Sequence, residues 1–301
     1  MDIQTIDMGE GFNEVEAIKS LRRAAQSHGF FFLKALSDEE SSKMFETSKA
    51  FFALPEDVKK QESTDYTHGY LGPGWQLLDP GNQSRPDTKE AFCVGPELED
   101  QTIQPPFYNK NTFPDTHMPE MRQVVTRYKE RMFELSKRLN RIIALSFGLS
   151  EDYFDHTFEK SPAILRMLHY AAEKSDVEQG VLAAGAHTDW GMITLLLTDG
   201  QPGLQVEENG QWFDVIEPKG TLICNVGDML QRWSNDTYKS SRHRVVNKTG
   251  LDRYSIVFFF HPNPKTVVSP LPNCGKPMYP GITCEEHLLS RFKATKQAPP
   301  V

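Results

Sequence analysis

Several things are scarce in this 301-residue chain, and each scarcity excludes a class of protein. There are four cysteines, Cys93, Cys224, Cys274 and Cys284. They form no CxxC pair and no zinc-like spacing, so neither a disulfide scaffold nor a thiolate zinc site is indicated. No uninterrupted apolar run approaches the ~20 residues that span a bilayer. The opening Met1-Asp2-Ile3-Gln4-Thr5 is neither basic nor apolar in the manner of a signal peptide. There is no long basic run, and 41 acidic residues against 33 Lys and Arg give a net charge of -8. That balance argues against electrostatic binding to nucleic acid or to anionic membranes. Internal repeats and low-complexity tracts are also missing. What is left is the profile of an acidic soluble enzyme, expected in a reducing cytoplasm, acting on a small molecule with neither nucleic acid nor membrane as partner.

What is present divides into a helical first half and a β-rich second half. Asn13 reads as an N-cap, with Val15, Ile18 and Leu21 at helical spacing and Gly29 closing the segment. Phe30-Phe31-Phe32-Leu33 is a short apolar run of the kind that forms a buried strand. Ser37-Asp38-Glu39-Glu40 is a capping-box pattern opening a second helix, which Pro55 ends or follows with a further short turn. Residues 61–117 carry many Gly, Pro, Asn and Asp, and read as a long irregular segment. Within it, Gly69 to Asp79, with Tyr70 and Trp75, is a candidate lid. From Pro119 the series Met121, Val125, Tyr128, Met132, Leu135, Leu139, Ile142 and Ile143 predicts a long amphipathic helix ending at Gly148.

From Ala163 the pattern changes to short β-rich runs separated by turn signals. Ile164–Tyr170, Met192–Leu197, Thr221–Val226, His243–Val246 and Tyr254–Phe260 are expected strands, and Asn209-Gly210 is a hairpin turn. No crossover helices interrupt them, which disfavours a doubly wound sheet. The fold class is therefore α+β to mainly β: a jelly roll (double-stranded β-helix) with a helical N-terminal region and a long bracing helix. The expected division is 1–160 helix-rich, packed as one unit with the core, 161–265 jelly-roll core, and 266–301 a tail with a short helix.

Chemistry concentrates in His187-Thr188-Asp189 and Ser241-Arg242-His243-Arg244. Residues two apart in a strand project to one side, so His187 and Asp189 can grip one ion, and His243 can close the face of an octahedron. Two imidazoles and a carboxylate suit Fe(II); imidazole also suits zinc. On the strand around Arg253, parity places Arg253, Ser255, Val257, Phe259 and His261 on one face. A guanidinium beside a hydroxyl in an apolar wall is suited to hold a carboxylate. By the same parity Phe259 is expected to line a substrate cavity. His28, His68, His117, His156 and His287 read as surface or turn residues, Asp228 as bracing, and His169 and His261 stay without a role.

These residues carry a resemblance. His187-Thr188-Asp189, Gly203-Leu204-Gln205-Val206, Asn225-Val226-Gly227-Asp228, His243-Arg244-Val245 and Arg253-Tyr254-Ser255 resemble the isopenicillin N synthase-like (plant-type) family of 2-oxoglutarate/Fe(II) dioxygenases. Gly29-Phe30-Phe31 and Phe51-Phe52-Ala53-Leu54-Pro55 resemble that family's N-terminal region. The resemblance implies that His187, Asp189 and His243 bind Fe(II), and that Arg253 and Ser255, assisted by Tyr170, bind the far carboxylate of 2-oxoglutarate. Many relatives carry an Asn two residues before that tyrosine, where this chain has Leu168. It further implies O2 as oxidant, ascorbate as an accessory reductant, and hydroxylation or desaturation of a small organic molecule with release of succinate and CO2. Two alternatives stand beside it: a same-fold Fe(II) oxidase that makes no use of 2-oxoglutarate, and a non-catalytic ligand-binding sensor.

Overall fold

A computed structural model of the chain describes residues 2–97 and 107–295. The first half supplies β1 (Thr5–Asp7), α1 (Glu14–Ser27), β2 (Phe30–Lys34), α2 (Asp38–Phe52) and α3 (Glu56–Gln61). Then come β3 (Ser63–Asp65), β4 (His68–Leu71), β5 (Lys89–Val94) and α4 (Met121–Ser146). The second half supplies β6 (Ile164–Tyr170), β7 (Ala184–His187), β8 (Ile193–Thr198), β9 (Leu204–Glu208) and β10 (Gln211–Asp214). It continues through β11 (Leu222–Val226), α5 (Asp228–Trp233), β12 (His243–Val245), β13 (Arg253–Phe260), β14 (Val267–Val268), β15 (Ile282–Thr283) and α6 (Cys284–Thr295).

Local chemistry sets the helix ends. The Asn13 side chain accepts from the Glu16 amide at 3.2 Å, and Ser37 with Glu40 forms both bonds of a capping box. α1 stops at Gly29, whose φ of +73° suits glycine alone here, because a Cβ would fall 2.0 Å from the Lys239 carbonyl. Every apolar residue of the α4 series is buried. At ~1.5–3 kcal/mol for each large side chain, this stripe holds the helix on the sheet far more strongly than its intrinsic propensity could.

The strands from β6 to β13 form the jelly roll. One sheet has the order β1-β2-β11-β8-β13-β6-β5-β4-β3, and the facing sheet the order β10-β9-β12-β7. β13 lies between β6 and β8, with Arg253 opposite Tyr170 and Phe259 opposite Ile164. Its even positions Ile256, Phe258 and Phe260 join the core under the helices; its odd positions face the interior of the roll.

Two sequence expectations are corrected. The segment 61–117 is not wholly irregular: β4 and β5 extend the large sheet beyond β6, pairing Tyr70 with Phe92 and Lys89 with Tyr170. Apart from Gly69 in β4, the described Gly, Pro and Asn residues of the segment lie in the connections, which masked short strands whose partners are distant in sequence. Within the span read as a lid, Tyr70 and Trp75 are buried and Tyr70 donates to Glu90 at 2.6 Å, while Gln76 and Leu78 line the cavity described below. His28 and His68 are not at the surface but buried, each with a backbone carbonyl within reach of Nε2.

Candidate active site

His187 ends β7 and His243 begins β12, and the two residues pair across the antiparallel ladder. Asp189 lies beyond the end of β7, so strand parity does not place it; the loop does. That loop is held by the Asp228 and Met229 amides, which donate to the carbonyls of Asp189 (2.8 Å) and Gly191 (3.0 Å). Gly227 makes this possible, because a Cβ there would meet the Gly191 carbonyl at 2.3 Å. The Asp189 carboxylate ends 3.8 Å from His187 Nε2 and 3.7 Å from His243 Nε2. One ligand atom from each of the three lies within 4.8 Å of the others.

The imidazoles are prepared to coordinate. His187 Nδ1 faces the Gly185 carbonyl at 2.8 Å and His243 Nδ1 the Ser241 carbonyl at 3.2 Å. A carbonyl only accepts, so each Nδ1 carries the hydrogen and each Nε2 lone pair points at the shared space. Burial, and then neighbouring His243, hold His187 below its ordinary value, which keeps the ring neutral. Asp189 is also buried, yet its carboxyl lies below the usual range because the imidazoles and the Asn225 amide at 2.7 Å outweigh desolvation. Two imidazole nitrogens and one carboxylate oxygen on one face fit Fe(II).

The opposite wall of the same cavity is β13 and β6. Arg253 is 2% exposed; its Nε donates to the Gln201 carbonyl at 3.2 Å and its guanidinium stands 5.2 Å from the Tyr170 ring. Among the described residues no carboxylate pairs with it. Two rungs along, the Ser255 hydroxyl is buried without a hydrogen-bond partner. An unpaired buried cation beside an unsatisfied hydroxyl is costly unless a ligand completes it, and a carboxylate does so. Leu168, opposite Ser255, adds an apolar surface there.

Phe259 lines the cavity, as parity predicts, and its ring stacks on His261 at 6.3 Å. His261 has no role in the sequence reading, and the structure places it in the cavity wall with an unpartnered Nδ1. Burial pushes it down to about 3, so the ring is neutral. His169 points the other way, between Glu90 (2.7 Å) and Asp252 (2.9 Å). Arg166 and Lys89 also line the cavity and escape sequence reasoning; the signal for Arg166 was its shared parity with Tyr170 on the expected strand β6, whereas that for Lys89 depends on β5, which the sequence hides. Asp228 braces: it accepts from Ser240 and from Arg291 of α6, while Arg291 also reaches Thr188 at 3.2 Å. His287, half-buried rather than at the surface, adds a contact to the same carboxylate at 3.3 Å. α6 is thereby fastened to the loop that carries Asp189, and its Leu288 and Phe292 close one side of the cavity.

Comparison with known proteins agrees with this geometry. Residues 162–262 match the 2OG-Fe(II) oxygenase superfamily, and residues 3–116 match the N-terminal region described for the non-haem dioxygenase in morphine synthesis. A 2-oxoglutarate-Fe(II) type oxidoreductase of Emericella nidulans is 35% identical over 94% of this chain and 86% of its own length. The chain belongs to the 2OG-Fe(II) oxygenase superfamily. Among solved structures, a full-length Neurospora crassa protein in complex with alpha-KG and thymine superposes with a TM-score of 0.83 at 32% identity, covering 97% of this chain and 96% of that one. JOX2 in complex with 2OG, Fe and JA gives 0.81 at 29% identity over 100% and 87%. The fold is that family's jelly roll, and the protein is an Fe(II)/2-oxoglutarate-dependent dioxygenase. No described helix is long and apolar enough to cross a membrane.

Proposed function

We propose that His187, Asp189 and His243 hold the Fe(II), that Arg253, Ser255 and Tyr170 hold the far carboxylate of 2-oxoglutarate, and that Phe259 contacts a small organic substrate. The observation that carries this reading is the buried, acid-free Arg253 beside the unsatisfied Ser255 hydroxyl, in the same cavity as the three donor atoms. When bound, iron and 2-oxoglutarate together with O2 supply an oxidant able to break an unactivated C–H bond, with succinate and CO2 released. The chain does the rest. Gly185 and Ser241 fix the tautomers of the two histidines, and Asn225 orients Asp189. Arg253 sets the direction of the co-substrate, and the apolar walls with Leu288 and Phe292 exclude water. The outcome on the substrate is hydroxylation or desaturation, with ascorbate as accessory reductant. A small-molecule substrate is supported by the thymine and JA of the Neurospora crassa and JOX2 complexes. A cytoplasmic location accords with the four free cysteines. Residues 1–160 are read as a helix-rich region forming one compact unit with the 161–265 core, because β1 to β5 share a sheet with the core strands, and 266–301 as a tail with a short helix.

Anaerobic addition of Fe(II) and 2-oxoglutarate is expected to produce a weak visible charge-transfer band, absent in Asp189→Ala and requiring much more 2-oxoglutarate in Arg253→Ala. A wild-type protein that shows no band overturns the assignment. Oxygen consumption without succinate assigns the same-fold oxidase instead.

A further inference from the structure

Arg166 is a second cation of the cavity, with no role in the assignments above. It is 9% exposed, and it lies on the same face of β6 as Leu168 and Tyr170. Its Nε donates to Cys93 Sγ at 3.2 Å and one Nη to the Tyr66 carbonyl at 3.3 Å. Of the five guanidinium N–H groups, three stay uncommitted. The Trp75 ring lies 4.8 Å and the Phe259 ring 5.4 Å from its guanidinium carbon, so aromatic faces hold the fork in place. No carboxylate among the described residues pairs with it.

Charge balance separates Arg166 from its neighbours. Lys89, the other buried cation nearby, pairs with Asp87, whose second oxygen accepts from Gln83 and the Gly185 amide. Asp189 faces the dication, and Arg253 faces the far carboxylate of 2-oxoglutarate. Among the described residues, Arg166 is then left without an acidic partner in a largely apolar cavity. Register sets Arg166 apart from Arg253 along the wall. Arg253 is opposite Tyr170, whereas Arg166 is opposite Val257, four residues along β13. At ~3.4 Å per residue the two positions are roughly 13 Å apart on one wall.

We propose that Arg166 is a substrate-specificity residue, and that the primary substrate is a monocarboxylate whose flat or apolar body lies against Phe259 and Phe292. This rests on the oxygenase reading above. The surplus is a single charge, which matches a carboxylate, and the guanidinium fork accepts a carboxylate bidentately. The His261 Nδ1, buried in the cavity wall, is a polar position that has no hydrogen-bond partner among the described residues.

The test uses the anaerobic protein loaded with Fe(II) and 2-oxoglutarate, and matched probes: phenylacetate and phenylacetamide, cinnamate and cinnamamide, and thymine as a neutral ring. The readout is perturbation of the charge-transfer band, whose presence before any probe reports that each variant is folded and loaded. The acids are expected to perturb it at millimolar concentration or below, the amides not. Arg166→Gln should weaken the acids by about 30-fold or more, and Arg166→Lys should recover part of that. If the band forms but acids and amides act alike, if thymine alone acts, if no probe acts, or if Arg166→Gln leaves the acids unaffected, the subsite is wrong while the oxygenase reading stands. Absence of the band itself overturns the oxygenase reading and the subsite with it.

Discussion

Two sets of buried polar side chains sit on opposite faces of the same strands, one residue apart in sequence. On the outer face, Glu90 of β5 accepts from Lys59 at 2.8 Å and from Tyr70 at 2.6 Å, and faces His169 of β6 at 2.7 Å. His169 in turn meets Asp252 and stacks on Tyr254 at 4.7 Å. On the inner face stand Arg166, Arg253, Ser255 and His261, with donors and acceptors left open. Both sets are buried among apolar residues, so desolvation acts on both. The outer set is closed by its own members and contributes to stability and register. The inner set is not closed: among the described residues no carboxylate pairs with Arg166 or Arg253, and Ser255 Oγ and His261 Nδ1 have no hydrogen-bond partner. Burial alone therefore does not identify a binding site; unmet valence does.

Asp189→Ala should reduce succinate release at least about 100-fold, since even residues that only support metal ligands are worth roughly 10- to 100-fold. The far-ultraviolet spectrum should stay unchanged; retained turnover would remove Asp189 from the metal. On the outer face, Glu90→Ala leaves Lys59 and His169 without their shared acid and should cost about 3–5 kcal/mol in urea unfolding. Its half-saturation for 2-oxoglutarate should move little, and a large change would show that the two faces are not independent. Arg253→Ala should show the converse: half-saturation for 2-oxoglutarate raised about 30-fold or more, with a smaller stability change.

A pH dependence follows from the outer set. Burial works against charge on His169, but Glu90 and Asp252 outweigh it and raise the ring above its ordinary value. A raised value in the folded state gives stability that is complete below the unfolded value, about 6.5, and is lost as pH rises through the folded value. Unfolding free energy should therefore fall across that window. His169→Gln should flatten this part of the profile; a profile unchanged by the substitution would assign the slope elsewhere. The smallest effect is expected of Ser255→Ala. Removing a hydroxyl with no partner should be neutral or slightly stabilising, while half-saturation for 2-oxoglutarate rises by about 3- to 10-fold.

Much of this is legible in the residues. The caps at Asn13 and Ser37, the buried run Phe30 to Leu33, the α4 stripe and the Asn209-Gly210 hairpin are local signals with local causes, and each appears where expected. The inward parity of Arg253, Ser255 and Phe259 is equally visible, because a strand buried on both faces still alternates. β4 and β5 are hidden, since their pairing partners lie in other parts of the chain. Asp189 is legible as a donor, but strand parity is an incomplete reason for it: the strand ends at His187, and backbone bonds from α5 bring the carboxylate round.

The order of the strands, the identity of the candidate donors and the alternation of side chains were determined by sequence, because turn residues, periodicity and side-chain chemistry act over a few residues. Which buried polar groups satisfy one another was decided by tertiary structure alone. Glu90 and Lys89 are adjacent in the chain and both buried, yet one completes a closed set and the other faces a cavity. Hydrogen bonds and charges act over a few ångströms, and only the folded sheet brings Lys59, Tyr70 and His169 within that range of Glu90, while leaving Arg253 and Arg166 with no acidic partner among the described residues.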